Sequence, residues 1–262
     1  MTWDVVASLA VGAWGAASAA CVPAVLARVP EPAPELQPEL DPIQPAADEQ
    51  RFSRPLEVEK ETYASVAAAP GLRARCAAAG LLLGALLGGR YGWSPALLPL
   101  GFLLPVGLLL TVVDWRTRYL PTRVIWPSCG VVLVLCAVAS VLSGDLGRMV
   151  PAVVGGLASY AGFFLLAVLV PRGMGFGDVR LAALLGIALG WLGVGPLLLG
   201  LYTGFLLGGV GGTLLSALRV FHRRHYPFGP FMLAGAYVAA VFPDVLAAAY
   251  GAVVDGIAGL LG

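Results

Sequence analysis

Asp114 and Asp178 are the residues of this 262-residue chain whose type and position could do chemistry. Asp114 closes one apolar run, and Asp178 ends the segment Gly173-Met174-Gly175-Phe176-Gly177-Asp178. Each falls where an apolar segment meets polar sequence, and an ionisable residue beside a membrane-spanning helix is a functional candidate. Two such carboxyls suit acid–base work on a shared water. Taken singly, each could instead be structural, as a helix cap or an ion-pair partner. The three glycines at alternate positions before Asp178 favour chemistry, because glycine permits φ > 0 and close approach of another chain.

The rest of the chain must position these two acids. Apolar residues make up 59% of it, charged residues 12%, and its mean hydropathy is +0.87, against about 45–50% and about 25% in soluble domains. This composition implies an all-α polytopic membrane protein. A formal net charge of +1 gives no sign of nucleic-acid binding. Windows near the roughly 20 residues that span a bilayer place about eight helices, at 5–27, 76–92, 95–113, 124–142, 150–170, 179–194, 196–218 and 229–250. The first lacks the basic start of a secretory leader and reads as a spanning helix within 1–28. Residues 29–73 form a cytoplasmic loop rich in Pro and acids and largely disordered, with a short interfacial helix toward Ala69. Residues 74–250 form a helical membrane domain, and 251–262 an apolar tail.

With eight spans and the N-terminus outside, Arg90 and Arg148 are the only cations at the outer face, and the other 14 of the 16 lie inside. That asymmetry obeys the positive-inside rule and puts Asp114 and Asp178 together at the cytoplasmic face. The other acids fall in the polar loop or near the outer face. Arg116, Arg118 and Arg172 flank the acid pair and would hold the inner face at anionic membrane lipid.

Other chemistries find little support. Cys21, Cys76, Cys129 and Cys136 contain no C-x-x-C pair and read as small apolar residues in or beside helices. His222 and His225 have no carboxylate or thiol neighbour in sequence, so no metal and no cofactor is expected. There is no Ser-His-Asp arrangement, no H-E-x-x-H and no Walker-type loop.

Three motifs carry a family resemblance. Asp114-Trp-Arg-Thr-Arg-Tyr-Leu-Pro121 is similar to the D-x-R-x-x-x-L/I-P segment of the prepilin peptidases, the type IV leader peptidases. Gly173-Met-Gly-Phe-Gly-Asp-Val-Arg-Leu181 is similar to their G-x-G-x-G-D-x-K-L segment. Pro227-Phe228-Gly229-Pro230-Phe231, with Gly235, resembles their P-F-G-P-F/Y stretch. The resemblance covers about residues 74–250. Arg180 stands where a Lys is usual, and Thr122 where an Asp is frequent. The N-terminal part keeps only an outline of the family's G-x-F-L-N, and the loop lacks the two C-x-x-C pairs of members that also methylate the new N-terminus.

The resemblance implies a GxGD-type aspartic endopeptidase of the inner or plasma membrane. Its catalytic residues would be Asp114 and Asp178, and Gly173, Gly175, Gly177, Pro121 and Pro230 would lie against substrate. The substrate would be a prepilin or pilin-like membrane protein with a short basic leader, cut after a Gly just before an apolar helix. N-methyltransferase activity is not expected. Two other classes fit a polytopic chain: a small proton-coupled transporter, which would call for mid-membrane acids and related halves, and a non-catalytic scaffold of a pilus or secretion system.

Overall fold

The computed structural model describes residues 3–31, 61–169, 175–217 and 227–261, and within these every regular element is helical. In chain order they are α1 (Val5–Ala19), α2 (Val22–Leu26), α3 (Tyr63–Ala67), α4 (Leu72–Tyr91), α5 (Leu97–Thr117), α6 (Thr122–Leu142), α7 (Met149–Leu169), α8 (Phe176–Leu192), α9 (Val194–Ala217), α10 (Gly229–Val241) and α11 (Pro243–Leu261). Backbone groups cannot hydrogen-bond to lipid, so an apolar chain satisfies them within helices.

Among the described residues, six helices are long and apolar enough to cross a membrane, α1 and α2 being taken as one. Pairing α10 with α11 makes seven. The 17-residue α8 is about 25 Å long, just under the roughly 30 Å hydrocarbon thickness. It is also among the most enclosed helices, with Leu181, Leu184, Leu185, Ala188 and Leu189 buried. A helix wrapped by protein need not show lipid a full-length apolar surface.

Several boundaries differ from the sequence reading. The first run is broken after Ala19, just before Pro23, so α2 starts afresh. The run 229–250 is bent by 103° at Phe242-Pro243, because Pro243 has no N–H to donate to the preceding turn. The expected tail is the continuation of α11 to Leu261. The short helix near residue 61 is α3, whose N-cap Thr62 accepts a hydrogen bond from the Ser65 N–H at 3.1 Å. The Pro- and acid-rich stretch 32–60 lies outside the described residues. Cys76, Cys129 and Cys136 are buried, whereas Cys21 is exposed; all four are free thiols.

The helices pack in close pairs, α1 on α4, α7 on α8 and α9 on α10. In each pair small residues let the backbones approach. Gly80 and Gly84 of α4 face Gly15 and Val11 of α1. Gly186 and Gly190 of α8 face Gly155 and Pro151 of α7, and Gly235 of α10 faces Gly204 of α9. Without water to drive association, such close packing holds membrane helices together. At the end of α8 remote from Asp178, the Trp191 indole N–H donates to Ser140 Oγ of α6 at 2.8 Å. Since α6 and α7 run across and back, the C-terminal end of α5 and the N-terminal end of α8 become neighbours.

Candidate active site

Asp114 lies in the last turn of α5, inside the helix and not beyond its end, and is 4% exposed. The helix is closed by Arg118 in the left-handed region (φ 54°, ψ 32°), whose N–H donates to the Asp114 carbonyl at 2.9 Å. A non-glycine residue rarely takes that conformation. Here it folds Tyr119-Leu120-Pro121 back across the helix end, and Leu120 and Pro121 are buried. Among the described residues no cation pairs with the Asp114 carboxylate. Its Oδ2 accepts the backbone N–H of Gly229 at 2.9 Å, which is a free donor at the start of α10.

Asp178 is 8% exposed and lies in the first turn of α8. Its Oδ2 accepts the N–H of the N-cap residue Gly175 at 3.2 Å. The carboxylate thus satisfies an orphan donor and sits at the positive end of the helix dipole. Asp178 is therefore a capping residue and a buried acid together. Gly175 has φ −84° and Gly177 is not among the positive-φ glycines, so these two glycines are not there for left-handed backbone. Close approach accounts for Gly177: a Cβ added to it would lie 2.8 Å from the Leu120 Cβ.

Leu120 joins the three motifs. A Cβ added to Gly229 would lie 2.8 Å from Asp114 Oδ2 and 3.4 Å from Leu120 Cδ1. One leucine is thus flanked by Gly177 on the α8 side and by Gly229 on the α10 side, next to both acids. Leu120 brings the two acids to one place: it lies against Gly177, the chain neighbour of Asp178, and against Gly229, whose N–H binds Asp114. Among the described residues the ion pairs are Arg116–Glu61 and Arg148–Asp145, and neither acid takes part in one.

The remaining sequence candidates fall around this centre. Pro121 is the N-cap of α6, and Pro230 lies buried in the first turn of α10, next to Gly229. Gly175 is exposed beside the Asp178 carboxylate. Gly173 and Arg172 lie outside the described residues. Two interactions had no sequence signal. Arg180 donates to Thr122 Oγ1 at 2.7 Å, tying α8 to α6. Arg116 pairs with Glu61 at 2.9 Å, both about half exposed, and so ties the stretch before α3 to the end of α5. The aromatic rings of the third motif pack on α9, Phe228 over Gly208 and Phe231 over Gly211.

Comparison with known proteins finds relatives for this chain. Residues 101–217 match the model of the type IV leader peptidase family, a segment that holds both acids. The chain is 32% identical over 165 residues to a prepilin leader peptidase/N-methyltransferase of Neisseria gonorrhoeae, covering 61% of this chain and 53% of the relative. It is 31% identical over 144 residues to a protein of the same name from Aeromonas salmonicida strain A449, covering 52% of this chain and 46% of the relative. The resemblance drawn from the three motifs is thereby borne out. The chain spans about half the length of the curated relatives it matches. No solved structure matches it.

Proposed function

We propose that this chain is a membrane aspartic endopeptidase that removes the basic leader of a prepilin or pilin-like protein. The observation that carries this reading is the pair of buried carboxyls, Asp114 and Asp178, brought together around Leu120, with neither in an ion pair among the described residues. Carboxyls so close do not readily both ionise, so one holds a proton and the pair titrates as a unit. The ionised member takes a proton from a water, whose oxygen attacks the scissile carbonyl carbon. The protonated member donates to the carbonyl oxygen. Collapse of the tetrahedral intermediate breaks the C–N bond, and a proton from the pair reaches the leaving amine.

Gly229 and Gly175 each keep one carboxylate oxygen hydrogen-bonded and so fix the direction of the other. The glycines at 173, 175 and 177, with Pro121 and Pro230, are assigned to the surface along which the substrate strand lies. Counting α8 and the bent α10–α11 pair as spans gives eight, with the N-terminus outside and the acids at the cytoplasmic face of the inner or plasma membrane. The distribution of Arg supports this orientation. The substrate's apolar helix would then lie in the bilayer beside the catalytic helices. The relatives' names include an N-methyltransferase; for this chain we assign the peptidase alone.

The test is mass spectrometry of a candidate prepilin N-terminus in membranes carrying the wild type, Asp114→Ala or Asp178→Ala. Leader removal in the wild type, lost with either substitution, is the expected result. Leader removal that persists in both variants would leave the acids without a catalytic role, and an added methyl mass would overturn the assignment of the peptidase alone.

A further inference from the structure

Leu120 fills the space beside the acid pair. It is buried, as are Asp114 and Asp178. On the α8 side, a Cβ added to Gly177 would lie 2.8 Å from the Leu120 Cβ and 3.3 Å from its Cδ1. On the α10 side, a Cβ added to Gly229 would lie 3.4 Å from the same Cδ1. One methyl group is thus wedged between the start of α8 and the start of α10. A substrate strand lies about 4.7–4.9 Å from a neighbouring backbone, and the leucine takes that width. A peptide that reaches both acids along this line must displace it.

The segment that carries Leu120 is tied at its ends and loose between them. The Arg118 N–H donates to the Asp114 carbonyl at 2.9 Å, and the Pro121 carbonyl accepts the N–H groups of Val124 and Ile125 at 3.0 and 3.2 Å. Among the described residues the Leu120 backbone makes no hydrogen bond. Tyr119 is exposed, and its carbonyl accepts the Thr117 hydroxyl at the long distance of 3.5 Å. Burial of one side chain therefore keeps the segment in place. Arg118 at its start has φ 54°, a left-handed state that costs a non-glycine residue energy and recurs in switch regions. It is a hinge with an ordinary backbone state to return to. We propose that Leu120 is a gate on the acid pair: its side chain closes the site in the resting protein and swings out about Arg118 when substrate and water enter. The inference rests on the peptidase reading above. Such a gate makes cutting depend on a chain that binds well enough to displace it, the logic of induced fit.

The experiment reads the accessibility of the acids in the full-length protein in lipid nanodiscs. A water-soluble carbodiimide with glycinamide as the trapping amine labels carboxyls, and peptide mass spectrometry follows each one. Labelling of a buried group proceeds through local opening, so in the wild type Asp114 and Asp178 should react about tenfold or more slower than the exposed Asp145 and Asp244. Leu120→Ala should raise the rate at both buried acids about tenfold and leave Asp145 and Asp244 unchanged. Leu120→Val, a milder change that removes the Cδ1 touching both glycines, should fall between, and Leu120→Met should stay as slow as the wild type. If Leu120→Ala loses its helical signal, the wild type and Leu120→Val decide. With a prepilin, Leu120→Val should lower KM about threefold at little change in kcat, because a closed resting state weakens apparent affinity by the open fraction. A wild type whose buried acids react as fast as Asp145, variants that show no acceleration, or a KM that rises would overturn the proposal. The two readings fail separately. Prepilin cleavage by a wild type with freely labelled acids leaves the peptidase and removes the gate. Slow labelling relieved by Leu120→Val, in a protein that cleaves no prepilin, upholds the gate while the peptidase reading falls.

Discussion

The backbone N–H of Gly229 donates to the Asp114 carboxylate at 2.9 Å, across 115 residues of chain. This bond fixes one candidate catalytic acid to the start of α10 and leaves no room for a side chain at that backbone position. A Cβ on Gly229 would sit 2.8 Å from the same carboxylate oxygen. Gly229→Ala should therefore lower cleavage at least tenfold, as carboxylate or helix shifts to relieve the overlap. Gly130→Ala is the control: nothing lies within 4 Å of a Cβ there, and alanine in mid-helix stabilises by about 0.5–1 kcal/mol. It should leave kcat unchanged and raise the melting temperature in detergent slightly.

Asp114→Asn and Asp178→Asn keep an oxygen that can accept from Gly229 or Gly175 and remove the ability to exchange a proton. Loss of one general acid–base group lowers kcat by about 10²–10⁴-fold. Each variant should show that loss in single-turnover cleavage of a prepilin, while circular dichroism and melting temperature stay at or above those of the wild type, because a buried charge has been removed. A variant that loses activity together with its helical signal would point to a structural role.

Arg180 and Thr122 form a bond between α8 and α6 at the level of the acid pair. Arg180→Ala should free the start of α8 and lower kcat about tenfold with little change in KM, since hydrogen bonds to charged groups contribute about 1.5–3 kcal/mol and this one is only partly buried. Thr122→Asp offers Arg180 a carboxylate at the same place and should hold or raise activity. Raised ionic strength should weaken that variant's advantage.

Substituting Gly80 tests the pairing of α1 with α4. A Cβ added there would overlap the backbone of Gly15 and lie 2.6 Å from the Ala19 Cβ. Gly80→Leu should destabilise by about 1–3 kcal/mol, the scale of overpacking in a close-packed interior. The readout is the melting temperature in detergent. Activity at low temperature should survive, because the affected contact is remote from Asp114.

Most of the frame was legible in the sequence. Apolar runs of near-spanning length gave the helices, and the places of Asp114 and Asp178 at their ends picked out the acids. What sequence missed has physical reasons. The donor to Asp114 is a backbone N–H, which any residue but proline carries, so no residue type announces it. The bend at Phe242-Pro243 did have a signal in Pro243, overridden by the uniform hydropathy on either side. The glycines before Asp178 suggested unusual backbone angles, but at Gly177 the cause is the volume of Leu120, which spacing alone does not show. Tyr63 gave no hint of its burial, because the packing of α3 against α5 is a long-range contact.

Leu120 lies six positions after Asp114 and is gripped from two sides, by the glycines of α8 and α10. That interval works as a ruler. Lengthening the turn at Arg118 by one residue would carry the leucine off its seat, and with it the backbone that separates the acids from the rest of the polar face. The identity of the three residues between Trp115 and Tyr119 can drift, but their number cannot, since distance along the chain is here converted into distance between two helices that never touch in sequence.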